Sequence, residues 1–296
     1  MPSVVLSAAA RFALPLLGVV PVALGASAAG SGPIPSPALQ VEVRTDLGPI
    51  RLELDPAAAP ETVARFLARA GLAPAPAGVV RVFPHVGSWV CELRAHGFVT
   101  FGCAPYELAA PRPRGPGIEP PTPDEIDGAA LGLGGKLLGD KAQRDWLWQS
   151  EVFPRYVALR ERGQPVPPGL AALVAAVEKD GVAATSRLDG MTRLAYLEAL
   201  GYRYTPGRSA RPVERGAVLT ANLFPGEADE RFVIALVPIP DRDGRGTVFG
   251  RVVDGWDTLA AIERVPVEKG HRPLSPIRIL DVTRVALPGD DGNPQR

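Results

Sequence analysis

The residues whose types could do chemistry are few and widely spaced. Two cysteines, Cys91 and Cys103, and three histidines, His85, His96 and His271, share no spacing that would gather a metal ion. The acid pairs Asp124-Glu125 and Asp229-Glu230 fall in stretches that read as loops, where solvated carboxylates are expected rather than catalytic ones. There is no glycine-rich phosphate loop before a helix, no Gly-x-Ser-x-Gly elbow and no His-Glu-x-x-His pair. Lys plus Arg and Asp plus Glu are balanced at 32 each, so net charge gives no pull toward nucleic acid or an anionic membrane. No cofactor and no metal are expected.

The elements that must position any site alternate with period two at both ends of the chain. Val41–Thr45 and Ile50–Leu54 flank Asp46-Leu47-Gly48, a hairpin pattern. Pro60 and Glu61 then open a helix whose apolar face is Val63, Phe66 and Leu67, stopped by Gly71. Strand patterning recurs at 79–84 and 97–102, with 86–93 either another strand or an inserted hairpin, then at 216–221, 231–236, 247–253 and 277–282. The run Thr247–Ile262 reads as strand, Asp-Gly turn and helix. Between these blocks the period becomes helical: an amphipathic run over 144–162 that Pro154 should break or kink, then 170–177 and 191–200. The fold expected is mainly β with α: a closed eight-stranded antiparallel barrel capped by two helices, plus a helical insert.

At 296 residues, 46% hydrophobic and 22% charged, the chain can bury a sizeable core. Arg11, an apolar run from Phe12 to Leu24 and Ala26-Ser27-Ala28 read as a signal peptide over 1–28, too short in its apolar part to span a bilayer. Residues 29–40 read as a linker and 286–296 as a polar tail. An exported protein of a bacterial periplasm or cell envelope is the expectation, with no integral membrane span after cleavage. For Cys91 and Cys103 two readings stand, a disulfide if the protein is exported or buried thiols.

The order of these elements resembles the cyclophilin family of peptidyl-prolyl isomerases. Leu47-Gly48-x-Ile50-x-Leu52-x-Leu54 and Ala59-Pro60-Glu61-Thr62-Val63-x-x-Phe66 resemble its first hairpin and helix. Arg81-Val82-Phe83-Pro84, Gly97-Phe98-Val99-x-x-Gly102 and Gly115-Pro116-Gly117-Ile118 with Asp124-Glu125 resemble the segments that follow. Gly216-x-Val218-Leu219-x-Ala221-Asn222, Phe232-Val233-Ile234, Gly244-x-x-Thr247-Val248-Phe249-Gly250-x-Val252 and Arg272-Pro273 complete the match. The resemblance implies a discontinuous barrel over 41–118 and 203–285, with a mostly helical insert over 119–202. It implies proline-containing peptides or unfolded proteins as partners, no nucleic acid, and a monomer.

It also implies a chemistry. An X-Pro bond turns slowly because its partial double-bond character sets a barrier of about 18–20 kcal/mol. A guanidinium beside the prolyl nitrogen weakens that resonance, and an apolar pocket holds the twisted ring. Arg81 fits the catalytic arginine, with Arg94 a second candidate nearer Phe98. Phe98 and Val99 fit the pocket, and Ala221 and Asn222 the segment that hydrogen-bonds the peptide. Several family positions are changed. Phe101 and Arg231 stand where the family has glutamine, Val233 where it has the pocket phenylalanine, Asp241 and Arg242 near its tryptophan and leucine, and Gly246 at its histidine. These changes point to a shallower pocket, for which Trp89, Trp146, Trp148, Tyr202 or Tyr204 would be substitute walls. The expected function is a prolyl isomerase of reduced activity assisting exported proteins; the alternative is a catalytically silent peptide-binding or chaperone module.

Overall fold

The computed structural model describes residues 39–79, 83–103, 120–135, 140–222, 225–226 and 228–286. The expected signal peptide, nearly all of the linker and tail, Arg81 and the stretch 104–119 lie outside the described residues.

Strands β1 (Leu39–Thr45) and β2 (Gly48–Leu54) form the expected hairpin, in register from Leu39↔Leu54 to Thr45↔Gly48. Its turn is tied by Thr45 Oγ1, which donates to the Gly48 carbonyl at 2.9 Å and accepts from the Leu47 N–H at 3.2 Å. Further along come β3 (Glu92–Arg94), β4 (Phe98–Phe101), β5 (Ala217–Asn222), β6 (Ala228–Ala235), β7 (Val248–Asp254) and β8 (Ile279–Arg284). They form one antiparallel sheet of eight strands in the order β3-β4-β6-β5-β7-β2-β1-β8. The sheet curls into a half-barrel, and closure is not confirmed: among the described residues β3 and β8, its two ends, form no ladder with each other. Residues 87–90 lie against 277–279 instead, through Gly87 N–H to the Ile279 carbonyl (2.8 Å), Ile279 N–H to Ser88 (2.9 Å) and Val90 N–H to Ile277 (2.8 Å). Cys91 and Cys103 are joined in a disulfide beside this seam, their Cα atoms 5.8 Å apart.

Period-two alternation gives the sheet two apolar faces. Val41, Val43, Ile50, Leu52, Val99, Phe101, Val218, Phe232, Ile234, Phe249 and Val252 point to the concave interior, while Phe98, Leu219, Ala221, Val233, Ala235 and Val248 cluster on the other face. The interior is sealed by two helices, α1 (Pro60–Arg69), through Val63, Phe66 and Leu67, and the helix that follows β7, Trp256–Glu263, through Leu259 and Ile262. The Asp254-Gly255 turn into that second helix requires glycine. Gly255 has φ +91°, and a Cβ there would meet the Pro49 carbonyl at 2.5 Å.

Helix α1 has no cap from its own sequence; the Glu125 carboxylate supplies one, accepting from Glu61 N–H (3.2 Å) and Thr62 N–H (2.7 Å). The backbone N–H of Glu125 donates to Thr247 Oγ1, whose own N–H donates to Thr220 Oγ1. This corrects the expectation of solvated acids. Glu125, Asp229 and Glu230 are all buried; the α1 N-terminus compensates the charge of Glu125 and the Arg231 guanidinium, two residues along, that of Asp229.

The middle of the chain is helical as expected. A helix α2 (Lys141–Leu147) capped by Asp140 passes through a π turn, Trp148–Val152, into α3 (Phe153–Glu161). Pro154 therefore falls in the first turn of α3, where its missing N–H costs little, and the run is widened rather than cut. Then follow α4 (Pro168–Asp180) and α5 (Arg193–Leu200), which makes the closing helix Trp256–Glu263 α6. Leu147, Val152, Leu159, Leu170, Val174, Tyr196, Leu197 and Tyr202 form a core of this segment's own.

His85 is buried between the rings of Phe66 and Phe232, at centroid distances of 4.8 and 5.3 Å. Neither ring nitrogen has a hydrogen-bond partner among the described residues. Burial, with the Arg69 charge adding to it, lowers its pKa from 6.5 to about 3. The unfolded chain thus takes up this proton near pH 6.5 and the folded chain only near pH 3, so stability falls as pH falls across that window, by up to about 1.4 kcal/mol per unit. His85→Phe is expected to reduce the loss of urea-unfolding free energy between about pH 7 and about pH 4.5 relative to the parent chain. An unchanged loss would show that His85 does not carry that dependence.

Candidate functional site

Polar groups gather beside an apolar floor where β5 ends and the β6–β7 connection crosses it. The β5–β7 ladder stops at Leu219↔Val248, and a register shift between Thr220 and Asn222 leaves Ala221 outside the β5–β6 pairing. Past the Thr220 N–H to Thr247 carbonyl bond (3.1 Å), β5 has no strand on its β7 side among the described residues. A short edge of this kind can add an extended peptide by main-chain hydrogen bonds. Next to it opens a groove of about 280 Å³ lined by Tyr202, Leu219, Thr220, Asn222, Glu151 and the loop residues Asp241, Arg242, Arg245 and Gly246.

That loop is held from the helical side. The Tyr204 hydroxyl donates to the Gly244 carbonyl at 2.9 Å. Arg193 Nη2 donates to the Asp241 carbonyl at 2.5 Å and to that of Asp243 at 3.3 Å. Arg245 pairs with Glu151 at 2.7 Å, and Glu151 also accepts from the Tyr196 hydroxyl at 2.8 Å. From the sheet side the Asp243 carboxylate accepts the Val213 N–H at 2.7 Å. Gly246 has a steric cause: a Cβ there would stand 2.8 Å from the Thr220 carbonyl.

The expected site residues divide into groups. Phe98, Ala221 and Val233 do come together, on the outer apolar face with Leu219 and Val248. Asn222 lines the groove at the end of β5. Val99 and Phe101 do not join them. Strand alternation turns both into the concave interior, fully buried, with Phe101 stacked on Phe232 at 5.2 Å. Arg231 is on the outer face but engaged, its guanidinium paired with Asp229 at 2.5 Å. Arg81 lies outside the described residues. Among the substitute walls, Tyr202 lines the groove, whereas Trp89 lines a separate apolar cavity beside the disulfide and Trp146 is exposed.

Sequence reasoning missed what covers the floor. The Arg242 guanidinium lies over the Phe98 ring, 4.0 Å from its centroid, and Arg94 approaches the same ring at 5.6 Å. The signal was present, since Arg242 stands at a pocket-wall position, but a charged residue there read as a missing wall rather than as one that stacks.

Asp124 buttresses the groove from behind, accepting from Asn222 Nδ2 at 2.6 Å and from Gly226 N–H at 2.9 Å. Burial raises its pKa from 3.8 to about 6, against the lowering effect of those two donors.

Three comparisons bear on this geometry. The family model described as cyclophilin type peptidyl-prolyl cis-trans isomerase matches residues 186–284, which hold α5, β5 to β8 and the groove loop. That segment is similar to the cyclophilin-type family over about a third of the chain. A peptidyl-prolyl cis-trans isomerase-like 3 protein of Rhizopus delemar is 45% identical over 75 residues, 25% of this chain and 44% of the relative. The human protein of the same description is 43% identical over 75 residues, 25% of this chain and 47% of the relative. The chain thus spans less than half the length of these curated relatives. A crystal structure of a Cryptosporidium parvum cyclophilin type isomerase aligns with 85% of this chain and 99% of its own, at 15% identity and a TM-score of 0.48. Within the cyclophilin-type segment lie Ala221, Asn222, Val233 and Arg242; Phe98 comes from outside it.

The raised Asp124 pKa has a sign that can be measured. Between about pH 4 and pH 6 the folded chain keeps a proton that the unfolded chain has lost, so this carboxyl subtracts stability as pH rises through that range. Asp124→Asn, which cannot ionise, is expected to gain stability relative to the parent chain as pH is raised from about 4 to about 7, measured by denaturant titration. A constant difference would exclude this titration.

Proposed function

We propose that the protein is a peptidyl-prolyl cis-trans isomerase acting on proline-containing peptide segments, exported to a bacterial periplasm or envelope and assisting the folding of exported proteins there. The observation that supports it most is the joining of an apolar floor, Phe98 with Val233, to the free end of β5 at Ala221 and Asn222. The floor suits a proline ring and the strand edge suits the backbone of an extended peptide. Arg81 is the guanidinium assigned to the prolyl nitrogen. Catalysis of this kind needs neither a nucleophile nor a bound ion. It stabilises a twisted amide in which conjugation to the carbonyl is lost. Localisation rests on the N-terminal signal pattern, and the helical segment over 119–202 is taken as an insertion into the barrel.

A second reading is supported by Arg242. With its guanidinium stacked on Phe98, the floor is covered, and a module that binds peptides without turning them over fits that geometry. Turnover separates the two. In a protease-coupled or exchange assay on an X-Pro peptide, the parent chain is expected to accelerate isomerisation and Arg81→Ala to reduce that acceleration by about 100-fold, a loss of about 2.7 kcal/mol of transition-state stabilisation. Equal rates for the two chains would remove Arg81 from catalysis, and binding without any acceleration would favour the silent module.

A further inference from the structure

Arg242 occupies an unusual position for a guanidinium. It is half-buried in the short 3₁₀ turn Pro240–Arg242, its guanidinium carbon stands 4.0 Å over the centroid of the Phe98 ring, and it has no carboxylate within ion-pairing distance among the described residues. The carboxylates around it are committed elsewhere. Glu92 pairs with Arg94 at 2.7 Å, Glu151 pairs with Arg245 at 2.7 Å, and the Asp241 side chain, 99% exposed, only grazes Arg193 at 4.0 Å. Counted pair by pair among the described residues, these charges leave Arg242 as a cation without a carboxylate partner at the mouth of the groove. Burial lowers the pKa of Arg242 from its ordinary value, which marks the cost of holding a charge there without a partner.

We propose that this groove selects peptides with a carboxylate side chain adjacent to the proline, the carboxylate drawing Arg242 off the Phe98 ring and so uncovering the floor for the proline. The inference rests on the reading of the groove as a proline-peptide site. A stacked guanidinium gains less from a ring than from a carboxylate that it can grip with two parallel hydrogen bonds. The exchange therefore favours the acidic peptide twice, by supplying the missing anion and by vacating the floor. A neutral peptide has to displace Arg242 with nothing to offer it, leaving the charge both unstacked and unpaired. Specificity here is a penalty on the neutral peptide as much as a gain for the acidic one.

The test uses the full chain and pairs of fluorescein-labelled proline peptides that differ only in carrying Glu or Gln next to the proline, on either side. Anisotropy titration of the parent chain is expected to give at least about tenfold tighter binding of one Glu peptide than of its Gln partner, a preference that shrinks as salt is raised from about 0.05 to about 0.5 M. Arg242→Lys, which keeps the charge, is expected to retain most of the preference. Arg242→Ala is expected to lose it and to bind the Gln peptide more tightly than the parent chain does, a gain that damage to the fold would not produce. Equal binding of Glu and Gln peptides by the parent chain would overturn the proposal while leaving the proline-peptide site standing. A preference that survives in Arg242→Ala would overturn it by placing the acid elsewhere. Failure of the parent chain to bind any of the peptides would overturn it together with the reading of the groove.

Discussion

Residues 240–246 are gripped at three points, by Arg193 on the Asp241 and Asp243 carbonyls and Glu151 on Arg245 from the helical segment, and by Tyr204, just beyond its end, on the Gly244 carbonyl. The site depends on this grip. It fixes where Arg242 can stand, and Arg242 stands on Phe98. The Arg245–Glu151 pair is partly buried and shared with the Tyr196 hydroxyl, which makes it a network rather than an isolated surface bridge. A loop of seven residues with two glycines would otherwise sample many conformations, and its ordering entropy has to be met by contacts of this kind.

The sheet side imposes a second constraint. Thr220, Thr247 and Glu125 form a buried line of hydrogen bonds that runs to the N-terminus of α1, so the end of β5, the start of β7 and the first helix are fixed together. Close packing around the Thr220 carbonyl leaves no room for a side chain at residue 246. The glycine there, which reads in sequence as the loss of a functional histidine, is also the residue that lets the loop approach β5.

Much of the scaffold was legible because it obeys local rules. The β1–β2 hairpin follows from alternation around a turn, α1 from Pro60 and its apolar spacing, and the β7–α6 junction from an Asp-Gly that only glycine can complete. The site was less legible because it is made of pairings between distant residues. Alternation alone puts Val99 and Phe101, one and three residues after Phe98, on the face opposite to it, which is the interior; motif matches, not the period, assigned them to the substrate. Glu125 looked like a loop acid because its partners, the N–H groups of Glu61 and Thr62, lie more than sixty residues away. Arg242 on Phe98 joins a turn to a strand about half the chain away, and no local pattern announces such a contact.

The central claim is that the helical segment, by gripping residues 240–246, sets the form of the groove. Amide hydrogen exchange on a chain carrying both Tyr204→Phe and Glu151→Gln addresses it directly. Exchange is expected to quicken by about tenfold or more at residues 241–247, while amides of the sheet interior such as Val218 and Ile234 keep their protection. Unchanged exchange at 241–247, or loss of protection spread evenly through the sheet, would contradict it.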